Sequence, residues 1–213
     1  MRTKTLVFSA VALAAGIFSA AAQSNVFSVN VVGYYNTVIP NSYVLLANQL
    51  DNGTNDLNSL LGSLPNKSLV QVWNGSSFTL STKGGTPSVW SPDLSVPPGT
   101  GFFVKLNSGS ITNTFVGNVV VGPGASVTNN LPASYVLVGS PIPYADDLNG
   151  TNINLSVLPN KSLIQIWNGS SYTLSTKGGT PSVWAPDATI NVGQGFFVQA
   201  KSATSWVQTL PNQ

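Results

Sequence analysis

The chain carries one thirty-residue block twice, and this repeat constrains the fold more than any other feature. Residues 64–93 read LPNKSLVQVWNGSSFTLSTKGGTPSVWSPD, and residues 158–187 match them at 26 of the 30 positions. Weaker matches continue outside the block, as in SYVLLANQL and SYVLVGSPI. Self-similarity at a fixed spacing indicates a fold made of repeated supersecondary units. We therefore expect two β repeats, residues 23–113 and residues 114–213.

The first 22 residues have the composition of a secretory signal peptide. Arg2 and Lys4 supply positive charge, Leu6–Phe18 is almost entirely apolar, and small residues precede a predicted cleavage after Ala22. No later segment has the roughly 18 apolar residues of a membrane span. We therefore expect a secreted protein, periplasmic or extracellular, whose mature chain starts at Gln23 and has no transmembrane segment.

Charge excludes nucleic acid as a partner. The formal charge of +2 comes from the predicted signal peptide, and the rest of the chain has six Lys, six Asp and no Arg. A nucleic-acid-binding protein needs a basic face that displaces the counterions of phosphates. The mature chain offers no such excess of positive charge.

The residue content argues against catalysis. The chain has no His, no Cys and no Glu, which removes the usual general base, the thiol nucleophile and most sets of metal ligands. Its serines do not occur in a G-x-S-x-G context, and a serine nucleophile would lack its histidine. We expect a protein that is not an enzyme and that uses no cofactor.

Calcium is the one metal for which the sequence offers candidate ligands. The stretches DNGTND (residues 51–56) and DDLNGTN (residues 146–152) place oxygen ligands around a glycine. Asp, Asn and Gly also form turns without any ion, and the liganding glutamate of an EF-hand is missing. We interpret both stretches as turns and predict no metal site.

The local patterns predict an all-β fold. SLVQVW and SFTLST alternate in polarity around Asn74-Gly75, a strong hairpin signal, and Asn168-Gly169 repeats it. The one predicted helix covers Asp56–Ser63, where leucines recur at helical spacing, and the second copy is expected to have a turn there. We predict two tandem antiparallel sandwich- or barrel-like repeats, or one pseudo-symmetric body in which strands near Phe115 pair across the repeats.

Three motifs of each repeat resemble a known module. They are (Y/W)-x-L-(I/V)-(A/G)-(N/S)-x-(L/P), (V/I)-x-x-W-(N/D)-G-x-x-(F/Y) and P-G-x-G-F-(F/W)-V, carried in the first copy by Tyr43–Leu50, Val70–Phe78 and Pro98–Val104. Leu46 departs from the first motif, and Val192 stands in place of the proline in the second copy. The chain resembles a β-rich module of secreted and cell-surface proteins in Gram-negative environmental bacteria, often found as a tandem pair behind a signal peptide. The resemblance implies export and a β-rich fold, and the family has no established activity.

Aromatic residues on the predicted strands are expected to pack in the core. Phe102 and Phe103 are neighbours on one strand, so their side chains must point to opposite faces. One of the two rings therefore points away from its own core, towards a second layer or a partner.

The loop Thr82–Trp90 provides the candidate binding residues, because it matches Thr176–Trp184 at all nine positions. A tryptophan beside a Gly-Gly turn, with a lysine and hydroxyls nearby, is a plausible platform for a sugar ring. Recent duplication or a demanding backbone path would also preserve such loops. The candidate binding residues are Lys83, Thr86, Trp90, Lys177, Thr180 and Trp184.

Two functions remain compatible with these patterns. The first is a secreted, non-catalytic structural or interaction protein, and the alternative is a carbohydrate-binding module that uses the loop tryptophans. The sequence does not identify the partner, with a polysaccharide and a component of the cell envelope as the two candidate classes. Exposure of Trp90 and Trp184 decides whether the loops can serve as contact sites.

Overall fold

Residues 31–212 are described by a computed structural model, and nearly all of their regular structure is β. The predicted signal peptide and its cleavage point lie outside the described residues. This part of the chain contains a helix α1 (Leu57–Leu60) and a 3-10 helix (Leu155–Val157). Its strands are β1 Val32–Pro40, β2 Val44–Ala47, β3 Leu69–Trp73, β4 Phe78–Lys83, β5 Trp90–Ser91, β6 Gly101–Lys105, β7 Ser110–Asn118, β8 Ser126–Leu131, β9 Tyr135–Gly139, β10 Asp146–Asp147, β11 Leu163–Trp167, β12 Tyr172–Gly178, β13 Val183–Ala185, β14 Thr189–Ile190, β15 Gly195–Gln199 and β16 Thr204–Thr209.

The two repeats contain the same five-stranded antiparallel sheet. Its strand order is β2-β6-β3-β4-β5 in the first repeat and β9-β15-β11-β12-β13 in the second. The register also agrees, because Trp73 lies opposite Phe78 and Trp167 lies opposite Tyr172. The prediction of an all-β fold with two similar tandem repeats is confirmed, and both sheets are open.

The β3–β4 and β11–β12 hairpins have the same turn. In the first, the side-chain oxygen of Asn74 accepts hydrogen bonds from the backbone N–H groups of Ser76 (3.0 Å) and Ser77 (2.9 Å). Gly75 has a φ of 101°, in the left-handed region that favours glycine. Equal turn chemistry at Asn168-Gly169 sets the same register in the second hairpin.

A two-stranded ribbon covers each sheet, β1 with β7 and β8 with β16. Strand β7 pairs with β1 from Ser110 to Asn118, and its Phe115 stacks on Tyr35 of β1 at a centroid distance of 5.0 Å. The expected pairing near Phe115 is therefore present, between β7 and β1, and it crosses the predicted boundary at 113/114. That boundary falls inside β7, and because that strand is hydrogen-bonded to β1 throughout, the first unit extends through Asn118.

Each repeat has its own hydrophobic core between sheet and ribbon. In the first repeat the four leucines of the predicted amphipathic helix are buried, although the helix itself is limited to Leu57–Leu60. Asp56 caps this helix by accepting a hydrogen bond from the backbone N–H of Ser59 (2.7 Å). The second repeat forms the 3-10 helix Leu155–Val157 where we expected a turn.

The repeats join through the edge strands β2 and β9. The backbone N–H of Ala47 donates to the carbonyl of Gly193 (2.8 Å), and the N–H of Gly139 donates to the carbonyl of Gly99 (3.0 Å). Ala47 and Gly139 occupy equivalent positions, as do Gly99 and Gly193, so the two contacts are reciprocal. This reciprocity is the signature of a two-fold relationship, and the repeats form one pseudo-symmetric body.

The rings of Phe102 and Phe103 pack in two different clusters, as predicted from their adjacent positions on one strand. Phe102 is buried in the core of its repeat, and Phe103 is buried in a third cluster that contains residues from both repeats. Phe196 and Phe197 divide in the same way. The second layer covering Phe103 is thus the other repeat. Among residues 31–212, no helix is long and apolar enough to cross a membrane.

Candidate functional site

Trp90 and Trp184, predicted as platforms for a sugar, are buried. Their side chains are 2% and 1% exposed, respectively. The indole N–H of Trp90 donates to the carbonyl of Leu61 (3.1 Å), and that of Trp184 donates to the carbonyl of Leu155 (3.2 Å). The platform hypothesis is wrong for these residues, because an indole enclosed by its own core has no free face to offer a ligand.

Lys83 and Lys177 are buried beside these tryptophans. The ammonium of Lys83 donates to the carbonyls of Gly62 (2.9 Å) and Ser88 (3.1 Å). That of Lys177 donates to the carbonyls of Ser156 and Leu158. Desolvation by burial lowers the pKa of Lys177. Both lysines therefore satisfy backbone carbonyls inside the fold and are not available to a ligand.

The two identical loops share one anchoring contact. The backbone N–H of Trp90 donates to the side-chain oxygen of Asn58 (2.8 Å), and Trp184 makes the same bond to Asn149 (2.8 Å). These contacts provide a structural reason for the shared lysine and tryptophan of the two loops. Two members of the predicted set, Thr86 and Thr180, are exposed. Nothing in the structure explains why both are threonine.

The two Asp/Asn-rich stretches form turns. The carboxylate of Asp51 accepts hydrogen bonds from the N–H of Gly53 (2.8 Å) and from the side-chain amide of Asn55 (2.6 Å). The Asp146 carboxylate accepts the backbone N–H of Asn152 (2.7 Å). Within residues 31–212, His, Cys, Asp and Glu nowhere form a group of three suited to a metal ion. The carboxylate oxygens considered for calcium instead accept hydrogen bonds within the turns.

The structure brings a different set of residues together, in two clefts where the sheets of the two repeats meet. Aromatic cleft A has a volume of about 360 Å³ and is lined by Trp73, Tyr135, Gln165, Tyr172 and Phe197. Aromatic cleft B has a volume of about 180 Å³ and is lined by Tyr43, Gln71, Phe78, Phe103, Trp167 and Tyr172. Five residues of cleft B occupy positions equivalent to the five of cleft A. The clefts are therefore two copies of one site, related by the pseudo-two-fold.

Edge-to-face ring contacts shape both clefts. Trp73 packs against Phe78, and Trp167 packs against Tyr172, each at a centroid distance of 5.0 Å. Phe78 and Tyr172 are 39% and 41% exposed, so their rings are open to solvent beside the buried Phe103 and Phe197. Rings held in this way present rigid apolar surfaces at a low cost in side-chain entropy.

Each cleft has one hydrogen-bonded pair of polar side chains. The Gln71 amide donates to the Tyr43 hydroxyl at 3.1 Å, and the Gln165 amide donates to the Tyr135 hydroxyl at 3.5 Å. A tyrosine hydroxyl that accepts a hydrogen bond keeps its own proton, and the amide oxygen of the glutamine remains an acceptor. Partial burial also raises the pKa of Tyr172, whose hydroxyl can donate as well as accept. Each cleft can thus both donate and accept.

Charge distinguishes the surroundings of the two clefts but not their linings. The lining residues of both clefts are uncharged at neutral pH. The Lys105 ammonium lies 4.8 Å from the ring centroid of Tyr43, at the edge of cleft B. Gln199 takes the equivalent position beside cleft A. The two sites therefore differ in one nearby cation.

Two further clefts continue past the tryptophans. Trp73 also borders a cleft of about 460 Å³ that contains Pro97, Pro98, Thr100 and Asn129. Trp167 borders its equivalent, of about 190 Å³, which contains Thr37, Asn191 and Gln194. Each indole thus separates an aromatic cleft from a second cleft with more polar residues.

Sequence reasoning missed this site because neither repeat forms a cleft alone. Trp73 and Tyr172 come from different repeats, and both were expected to be core residues. One available signal was the pair Phe102 and Phe103, which required an apolar face beyond the first core. Comparisons with models of protein families, with curated proteins and with solved structures found no match to this chain.

Proposed function

We propose that this chain is an exported, non-catalytic interaction protein that binds neutral carbohydrate through aromatic clefts A and B. One observation carries the proposal: the fold builds the same uncharged, aromatic lining twice, each time with a glutamine and a tyrosine. This moves the carbohydrate alternative from the loop tryptophans, which are buried, to Trp73 and Trp167.

The chemistry of the clefts suits a sugar ring. A pyranose has apolar C–H faces that pack on aromatic rings and a rim of hydroxyls that need donors and acceptors. In cleft A, the rings of Trp73 and Tyr172 supply the aromatic surface, and the Gln165–Tyr135 pair supplies the hydrogen-bond donors and acceptors. An uncharged lining disfavours phosphate or carboxylate ligands, because no cation in the lining would offset the cost of removing their charge from water.

The volume of cleft A is within the range of ligand sites. Cleft A measures about 360 Å³, and small-molecule sites span about 300 to 1,000 Å³. Cleft B, at about 180 Å³, lies below this range. The second cleft on the far side of Trp73 extends the same surface. A ligand longer than one ring can therefore continue past this indole.

Residue content supports the absence of catalysis. Neither cleft is lined by an Asp, and the full sequence has no His, Cys or Glu to act as base, acid or nucleophile. The charged, apolar and small-residue order of the first 22 residues supports export. N-terminal sequencing of the exported protein tests this part, and we expect it to start at Gln23.

Affinity electrophoresis in gels that contain hydroxyethylcellulose, glycol chitin or laminarin tests carbohydrate binding. We expect at least one polymer to retard the wild-type protein. Gln165→Leu combined with Tyr135→Phe should weaken retardation at least about tenfold, because the change replaces the polar pair with apolar side chains of similar size. Thr86→Ala combined with Thr180→Ala is the matched control on the exposed loops, and it should bind like the wild type.

Two outcomes contradict the proposal. One is the absence of retardation by all three neutral polymers, which would favour a purely structural role. The other is loss of retardation in the Thr86 and Thr180 variant with full retardation in the Gln165 and Tyr135 variant, which would return the site to the loops. Circular dichroism of every variant separates loss of binding from loss of fold.

A further inference from the structure

We infer that aromatic clefts A and B hold two separate carbohydrate chains that run in opposite directions, so that one protein molecule bridges them. The inference rests on the proposed carbohydrate binding. Beyond that proposal, it specifies the relative direction of the two bound chains and the effect of the protein on a polymer, which is to bridge its chains.

The relation between the clefts is a two-fold rotation. The Trp73 indole bonds to the backbone of Tyr135, and the Trp167 indole bonds to the backbone of Tyr43, at the equivalent position. The backbone contacts of Ala47 and Gly139 are reciprocal in the same way, because each residue bonds to the equivalent position of the other repeat. Contacts that exchange in this way define a two-fold axis and exclude a translation along the chain.

The axis reaches the surface between Phe78 and Tyr172. These residues are equivalent, both are partly exposed, and each packs near Phe197, at 6.3 Å and 6.0 Å between ring centroids. Tyr172 lines both clefts. Clefts A and B therefore open side by side on one surface, across the point where the axis emerges.

A polysaccharide has a direction, from its non-reducing to its reducing end. Rotation by half a turn about an axis through the binding surface reverses that direction. A single straight chain that crossed both clefts would meet the tryptophan, the tyrosine and the glutamine in one orientation in cleft A and in the opposite orientation in cleft B. It could make the favourable contacts in only one of them.

Two chains do not have this conflict. Each chain can make the same contacts in its own cleft if the chains lie antiparallel. Linked sites increase affinity for one ligand only when geometry allows both to engage it at once. The two-fold arrangement therefore favours bridging of chains over tighter binding of one chain.

The clefts are not equal, and cleft A should fill first. Cleft A has about twice the volume of cleft B, 360 against 180 Å³. Lys105 lies over the tyrosine ring of cleft B, whereas the equivalent Gln199 carries no charge. A ligand in cleft B therefore lies near this ammonium, because Tyr43 lines the cleft.

Titration calorimetry with cellohexaose, chitohexaose and laminarihexaose measures how many chains bind, and light scattering of the matching polymer measures bridging. For the sugar that binds, we expect two hexasaccharides per wild-type molecule. Scattering should peak at an intermediate ratio of protein to polymer and fall when protein is in excess, because bridging needs both sites occupied by different chains.

Variants in one cleft at a time provide the decisive comparison. Gln165→Leu with Tyr135→Phe disables cleft A, and Gln71→Leu with Tyr43→Phe makes the same two changes in cleft B. Each variant should bind one hexasaccharide and lose the scattering peak, with the cleft B variant keeping the tighter site. Sedimentation without sugar identifies any bridging that arises from self-association of the protein.

The opposite results overturn the inference. They are one hexasaccharide per wild-type molecule, an affinity that rises tenfold or more from trisaccharide to hexasaccharide through occupation of both clefts, or a scattering peak that survives in both variants. If the polymers do not bind at all, the proposed function fails as well. If they bind without bridging, only the two-chain inference fails.

Discussion

The indole N–H of Trp73 donates a hydrogen bond to the backbone carbonyl of Tyr135, at 3.1 Å, and so connects the first repeat to the second. In the opposite sense, the indole N–H of Trp167 donates to the backbone carbonyl of Tyr43 at 2.9 Å. Each tryptophan is on a central strand of its own sheet and takes its hydrogen-bond partner from the other sheet. The stability of either repeat is therefore tied to the presence of the other.

Replacing one of these tryptophans should destabilise the whole body. We expect Trp73→Phe or Trp167→Phe to lower the free energy of unfolding by about 1–3 kcal/mol, because each loses a hydrogen bond and part of an aromatic contact. Urea denaturation followed by circular dichroism measures the change. A single transition is expected in the wild type, and two separate transitions would show that the repeats fold independently.

The junction of β2 and β9 has room for one methyl group. A Cβ atom placed on Gly139 would lie 2.1 Å from the Cβ of Ala47. We expect Gly139→Ala to cost about 1–3 kcal/mol in stability, and the addition of Ala47→Gly to restore most of it. Thermal denaturation of both variants checks this, and a double variant no more stable than Gly139→Ala would contradict the assigned contact.

The loop tryptophans should behave as core residues. We expect Trp90→Ala or Trp184→Ala to cost about 3–5 kcal/mol, as large-to-small changes of buried aromatics do. Val89→Ala and Val183→Ala are the matched controls, because these neighbours are 41% and 40% exposed and surface changes usually stay within about 0.5 kcal/mol. Equal stabilities for the two kinds of variant in urea denaturation would show that the indoles are not packed as described.

The turn at Asp51 should make stability depend on pH. The hydrogen bond from Asn55, followed by that from the backbone of Gly53, lowers the pKa of Asp51 below its ordinary value. A carboxylate with a lowered pKa contributes stability above its unfolded-state pKa of about 3.9, and the contribution is lost as the pH falls through the folded-state pKa.

We therefore expect wild type to be more stable than Asp51→Asn at pH 6, with a difference that shrinks below about pH 4. Urea denaturation of both proteins from pH 3 to pH 7 measures it. A difference that stays constant over this range would show that ionisation of Asp51 does not contribute.

Repetition and local turn chemistry were sufficient to predict much of the fold. Asn74 and Gly75 predicted the hairpin, the leucine spacing predicted the amphipathic character of residues 57–64, and the thirty-residue block predicted two similar sheets. These features depend on neighbours along the chain, so that they can be read without knowing which elements pack together.

The site could not be predicted in the same way. The Thr82–Trp90 loop has the composition of a surface loop, yet Trp90 is buried and its indole donates to the carbonyl of Leu61, which lies 29 residues earlier. Cleft A needs Trp73 from one repeat and Tyr172 from the other. Such long-range contacts depend on how the sheets pack, and periodicity carries no information about that packing.

The sequence by itself thus determined the β-hairpins, the repeat and, through the pair Phe102 and Phe103, the need for a second apolar layer. Only the tertiary structure decided that this layer is the other repeat and that Trp73, not Trp90, borders a cleft. The physical reason is that strand alternation fixes which face a side chain takes. What covers that face depends on the free energy of packing against every other apolar surface, and here the equivalent face of the second repeat covers most of it and leaves the two clefts open.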